Sequence, residues 1–153
     1  MKELYKKKVY AYITREKEEQ TQLLICTHQG VPEAGVRVPG GTVRQGETLE
    51  DALLRKIQEE SGLRQVSLGH LVADELIHVK DKNEYQKRHF YHVALSESSV
   101  DVWEHSLEHD GKNNGCVLSY TWMHIDKCPR LLVDRQGAYT HLLEKPYTRA
   151  VSY

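Results

Sequence analysis

The stretch Gly41–Leu63, GTVRQGETLEDALLRKIQEESGL, decides how this chain is read. A β-like run, GVRV at 35–38, leads into it through Pro39-Gly40-Gly41, which reads as a glycine turn, with 36–38 a short strand. Thr48 suits a helix N-cap. Asp51 three residues on approximates a capping box, and Glu50 and Asp51 suit the positive end of a helix. The spacing predicts a helix to about Ser61, stopped at Gly62, a residue fitted to the left-handed C′ position. At 3.6 residues per turn Leu49, Ala52, Leu53 and Ile57 share one face, which is expected to pack on a sheet. Farther along, Arg55, Lys56, Glu59 and Glu60 turn the stripe ionic, and two adjacent carboxylates converge. Spacing alone also allows a plainer reading: the helix leaves the core here, with i,i+4 pairs on its surface.

The fixed residues are more specific than the periodicity. Gly41, Glu47, Arg55, Ile57, Glu59, Glu60, Gly62 and Leu63 fall as G-x5-E-x7-R-x-U-x-E-E-x-G-U, with U apolar. This resembles the Nudix box at every fixed position except Lys56, where the family has glutamate. Two rival glycine-loop readings fail. The chain has no Gly-Lys-Ser/Thr of a phosphate loop and no G-x-G-x-x-G of a dinucleotide fold.

The resemblance implies an α/β/α sandwich, a mixed β-sheet between helices, with residues 1–153 as one Nudix domain. It implies a hydrolase that cleaves the diphosphate linkage of a nucleoside diphosphate derivative, using magnesium, or manganese in its place. Glu59 and Glu60 match the family's metal-binding pair, and the Gly40 carbonyl matches a backbone metal position. Glu47 is either a further ligand or an acceptor behind the ligands. Arg55 resembles the arginine that orients a box glutamate, and an ordinary pair with Glu59 is compatible with that. Arg44 stands where the family often has an acid; it either binds a substrate phosphate or faces water. The water-activating base comes from the box or a later loop, with Glu104, Glu108 and Asp110 as candidates. Lys56 supplies a positive group where the family has a negative one, within reach of both carboxylates. The alternative is therefore a catalytically weakened Nudix-fold module that binds nucleotide or regulates.

Composition agrees with a soluble domain. The chain has 153 residues, 39% hydrophobic and 28% charged, and a formal charge of −1. That balance argues against a broad nucleic-acid or membrane surface. The N-terminus, MKELYKKKVYAYI, lacks the apolar core of a signal peptide, and no apolar run approaches a membrane span. Cys26, Cys116 and Cys128, odd in number and far apart, read as reduced thiols of a cytoplasmic protein. The expected partner is a nucleotide-derived small molecule; oligomeric state, a homodimer included, is left open.

In order, 9–14 and 21–27 read as a strand hairpin joined by the charged turn REKEEQ, with Lys6–Lys8 a solvated approach to it. Val66–Val79 reads as a long strand with bulges, and 88–95 as its partner across the turn KDKNE. Lys80, Lys82, Lys87 and Arg88 cluster near that tip, where a solvated turn is favoured over phosphate attraction. Residues 100–107 and 116–125 flank HDGKNNG as a hairpin. Pro129 opens a second helix to about Glu144, with Leu131, Leu132, Tyr139, Leu142 and Leu143 as its apolar face. The substrate's base is placed among Tyr10, Tyr12, Phe90, Tyr91 and Trp122, each equally suited to the core. His89/His92 and His105/His109 have suggestive spacing, but both fall in predicted strands, where those offsets do not share a side reliably.

Overall fold

Strand β1 (Lys6–Lys17) is the centre of the molecule, and its sequence alternation sets the two faces of the sheet. Val9, Ala11 and Ile13 point to one side and Tyr10 and Tyr12 to the other, all buried. The structure, a computed structural model, describes residues 5–95, 100–107 and 116–143. Around β1 lie β2 (Gln20–His28), β3 (Gly40–Thr42), β4 (Val66–Val79), β5 (Glu84–Leu95), β6 (Val102–Ser106) and β7 (Val117–His124). The order is β4-β5-β1-β2-β7-β6, with β3 also on β1. Among the described strands β1 and β5 are the one parallel pair, so the sheet is mixed.

The β1–β2 hairpin turns on Glu18 and Glu19 alone, both at positive φ, so most of the expected charged turn is strand. The two strands pair only from Thr14 to Lys17 on the β1 side and then separate. Residues 36–42 fill the wedge between them. Cys26 and Arg37 exchange backbone hydrogen bonds of 2.8 and 2.9 Å, Ala11 N donates to Pro39 O at 2.9 Å, and β3 continues along β1. This corrects two expectations. The short strand is Gly40–Thr42 rather than 36–38, where Val36 and Arg37 make single bridges. Gly40 and Gly41 are strand rather than turn, and neither has a positive φ. Backbone crowding calls for glycine at Gly40, where a Cβ would strike the Val9 carbonyl; one on Gly41 would meet only the movable end of the Lys56 side chain.

Helix α1 (Leu49–Ser61) forms where the sequence places it. Thr48 Oγ1 accepts from Asp51 N at 3.1 Å, and Gly62 ends the helix at φ 80°. Its apolar stripe, Ala52, Leu53 and Ile57 with Leu49 at the margin, packs on Val9, Ala11, Ile13 and Val93. Burying Leu53 and Ile57 completely stabilises by roughly 1.5–3 kcal/mol each.

The opposite face differs from expectation. The helix predicted from Pro129 to Glu144 is one turn, α2 (Cys128–Leu131), followed by turns and a 3₁₀ segment at Thr140–Leu142. Tertiary hydrogen bonds take the backbone away from the helix. Tyr12 Oη donates to Gln136 O at 2.6 Å, and Val38 N donates to Gln136 Oε1 at 2.8 Å. Arg88 donates to Asp134 O at 2.7 Å, and Asp134 and Arg135 take positive φ. Leu132 and Leu143 are buried as expected, whereas Leu131 and Leu142 are exposed. Residues 144–153 lie outside the described residues. Arg88 itself corrects the reading of a solvated cationic tip: it is 1% exposed. The long strand and its bulges are confirmed as β4. Cys26 and Cys116 are free thiols. Among the described residues no helix is long and apolar enough to cross a membrane.

Candidate active site

The wedge and the helix together build the site. Because Pro39 O and Val43 N bond toward β1, Gly40 between them turns its N–H, and with it its carbonyl, to the other edge of the strand. The second half of α1 lies there. Glu60 Oε1 accepts from Gly40 N at 3.0 Å. Glu60 is buried, at 7% exposure, and burial pushes its carboxyl up, while Lys56 and the Gly40 N–H pull the other way.

Arg55 organises the neighbouring carboxylates. Its Nε and Nη2 grip Glu47 at 2.7 and 2.9 Å, Nη1 reaches Glu59 at 3.3 Å, and Nη2 also donates to Thr42 O at 3.1 Å. The loop before the helix is closed by Arg44 N, which donates to Glu47 Oε1 at 2.8 Å. The Arg55 guanidinium, and after it that backbone N–H, hold the Glu47 carboxyl down at about 2. Glu47 is therefore spent on Arg55, which favours its reading as an acceptor behind the ligands. The exposed Arg44 side chain lies at the rim, 3.9 Å from Glu59.

Lys56 reaches both carboxylates, as its position on the helix predicts. Its Nζ is 3.4 Å from Glu60 and 3.8 Å from Glu59, and its stem lies over Gly41. The box thus brings together two carboxylates, an arginine clamp and an ammonium. Glu59, Glu60 and the Gly40 carbonyl are hard oxygen donors. They suit a magnesium that uses one or two carboxylates and completes its shell from substrate phosphates and water. A dedicated cage is not built: among the described residues no group of three or more His, Cys, Asp or Glu could hold a metal.

The other candidates scatter. Glu104 leaves β6 on the face turned away from α1, since its neighbour Trp103 packs toward the helix, and it accepts from Gln29 Nε2. Glu108, Asp110 and His109 lie outside the described residues. His92 bonds Thr14 Oγ1 at 2.8 Å, and His89 faces the other side of β5. Of the proposed base platforms, Tyr10 and Tyr12 stack on Phe90 in the core, Tyr91 is buried under the helix, and Trp122 lies beneath Arg15.

Sequence reading missed a cleft of about 300 Å³ next to Gly40 and Gly41, whose lining includes Lys8, Arg37 and Lys82. These residues come from three separate segments, so no linear pattern announces them.

The NUDIX domain description matches residues 4–143. No curated protein matches the chain in sequence. Among solved structures, a C. elegans Ap4A hydrolase is 17% identical with a TM-score of 0.64, over 97% of this chain and 99% of that one. A MutT NUDIX hydrolase from Burkholderia pseudomallei is 20% identical, TM-score 0.64, over 93% and 100%. The NUDIX domain of Shewanella oneidensis NrtR, complexed with ADP ribose, is 15% identical, TM-score 0.62, over 99% and 91%. At these identities the structures establish a shared fold.

Proposed function

The chain belongs to the NUDIX family of pyrophosphohydrolases, and from that membership we propose a single-domain enzyme that cleaves the diphosphate linkage of a nucleoside diphosphate derivative and depends on magnesium. One observation carries this reading: Glu59 and Glu60 converge beside Gly40 under the Arg55 clamp. The named relatives, an Ap4A hydrolase and a domain complexed with ADP ribose, support a nucleotide-derived substrate.

Hydrolysis joins a water oxygen to one phosphorus while the bridging oxygen leaves with the other, and the water's proton is released. Glu59, Glu60 and the Gly40 carbonyl would hold the magnesium, which supplies charge screening for the phosphates and activation of water. Arg55 fixes the Glu59 carboxylate and ties it to the Glu47 loop, so that the reacting groups meet in one geometry. Arg44 at the rim presents a guanidinium to a phosphate of the incoming substrate.

A screen with magnesium tests the activity, using nucleoside di- and triphosphates, nucleotide sugars, ADP-ribose and dinucleoside polyphosphates. Product above a Glu60→Gln control is the expected result. Magnesium should also raise the melting temperature, and the pair Glu59→Gln with Glu60→Gln should abolish that rise. An unchanged rise in the double variant would move the metal elsewhere.

A second reading, a nucleotide-binding or regulatory module with little turnover, is favoured by the Lys56 ammonium 3.4 Å from Glu60. A nucleotide-induced thermal shift without product in the same screen would establish it.

A further inference from the structure

We propose that the cleft beside Gly40 and Gly41 is a subsite for phosphates beyond the scissile linkage. The preferred substrates then carry a chain of three or more phosphates rather than a diphosphate joined to an uncharged group. This substrate class rests on the hydrolase reading; the anion site itself rests on the geometry.

Three elements converge to make the cleft cationic. Lys8 comes from β1, Arg37 from the wedge, and Lys82 from the β4–β5 tip. A single solvated face would draw its charges from one element; here separate segments bring like charges together. The lining holds one carboxylate, Asp134, and the buried Arg88 already takes it at 2.9 Å. Lys56 is not part of the lining; it lies on the α1 side of the same strand, where a Cβ on Gly41 would be 3.0 Å from its Nζ. Gly40, which donates to Glu60, and Gly41 both border the cleft, so it adjoins the acidic pair.

Gathering like charges is unfavourable until an anion arrives. The Lys8 ammonium shows it: burial first, then Lys82 and Lys6, push its pKa down. Lys8 donates one hydrogen bond to Thr42 Oγ1 at 2.7 Å, and an ammonium carries three donors. The walls, rather than the size, disfavour a nucleobase. About 300 Å³ is the small end of ligand pockets, which run roughly 300–1,000 Å³. Tyr10, the aromatic wall, has its ring stacked on Phe90 at 5.2 Å and is 6% exposed, so it offers no free face for stacking. A short, highly charged chain of phosphates matches the cleft in both volume and sign.

The test uses the full chain in two arms. In metal-free buffer with chelator, calorimetric titration compares inorganic tripolyphosphate with orthophosphate. Tripolyphosphate should bind wild type at least ~10-fold more tightly, and Lys8→Gln with Arg37→Gln should weaken it by about 10-fold or more, while Lys8→Arg retains it. Lys82→Gln, at the exposed tip, should weaken it several-fold and serves if the double variant fails to fold. Equal binding of the two anions, or an unchanged affinity in these folded variants, overturns the subsite. In the second arm, with magnesium, wild type should show a kcat/KM at least ~10-fold higher for a dinucleoside tetraphosphate than for its diphosphate-bridged counterpart. The double variant, or Lys82→Gln in its place, should shrink that preference. Turnover with no such preference overturns the substrate class. Absence of turnover with every substrate defeats the hydrolase reading and with it the substrate class, while tripolyphosphate binding, read without metal, still decides the anion site.

Discussion

Arg55 and Arg88 each gather a carboxylate and a backbone carbonyl, yet they serve different ends. Arg55 holds Glu47 with two hydrogen bonds and Thr42 O with a third, and its side chain keeps 18% of its exposure. Arg88 holds Asp134 Oδ2 and Asp134 O, is itself 1% exposed, and ties down the segment that covers the far face of the sheet. The partners of Arg55 belong to the acidic site; those of Arg88 hold the covering segment in place and, through Asp134, form one wall of the cleft. Burial decides which loss is felt as stability and which as chemistry. A charge left unpaired in the interior keeps its full desolvation cost, whereas one near water is rehydrated.

The largest expected effect lies on the buried side. Asp134→Ala leaves the buried Arg88 guanidinium without its carboxylate, which is itself 53% exposed, and should destabilise by about 2 kcal/mol in urea unfolding. A loss within about 1 kcal/mol would mean that Gln86 Oε1, which accepts from Arg88 Nε at 3.1 Å, and the Asp134 carbonyl suffice, and the contrast would collapse. Arg55→Ala should do the reverse: stability changes by less than about 1 kcal/mol, while turnover falls about 100-fold because Glu59 loses its fixed position. Arg55→Lys should restore little, since a lysine cannot grip Glu47 with two donors. An Arg55→Ala protein with normal turnover would reduce that clamp to a surface pair.

Lys56 sharpens the comparison from within the site. Lys56→Glu changes the local charge by two units beside Glu59 and Glu60 and should tighten magnesium binding about 10-fold in calorimetry. Unchanged affinity would show that the ammonium swings clear when metal arrives. The smallest effect is in acid. Glu47 has its folded-state pKa lowered from 4.5 to about 2, so its contribution to stability is present above about pH 4.5 and lost as pH falls toward 2. Glu47→Gln should therefore flatten the melting-temperature profile across that window. A profile with unchanged slope would place the acid sensitivity on other carboxylates.

Much of the site was legible because it is local. Thr48, Asp51 and Gly62 set the ends of α1, Leu53 and Ile57 its buried stripe, and the i+3 and i+4 spacing puts Lys56 beside Glu59 and Glu60. These relations span at most a few helical turns, so the sequence determines them, and the box pattern identified the family through them. Glu104 was a different case. It was named by nearness in the chain to a loop, and strand alternation turned it to the other face.

Tertiary structure alone decided the rest. The helical pattern after Pro129 was real in its apolar spacing, but Arg88, Tyr12 and Val36 offered that backbone stronger partners than its own fourth neighbours. Gly40 and Gly41 read as a turn because glycine usually marks one; here Gly40 is glycine because the Val9 carbonyl presses on it. Lys8, Arg37 and Lys82 meet only once the sheet has formed and the wedge between β1 and β2 has been filled. Capping and periodicity are fixed by neighbours in the chain. A cleft assembled from three distant segments is fixed only by how the strands pair.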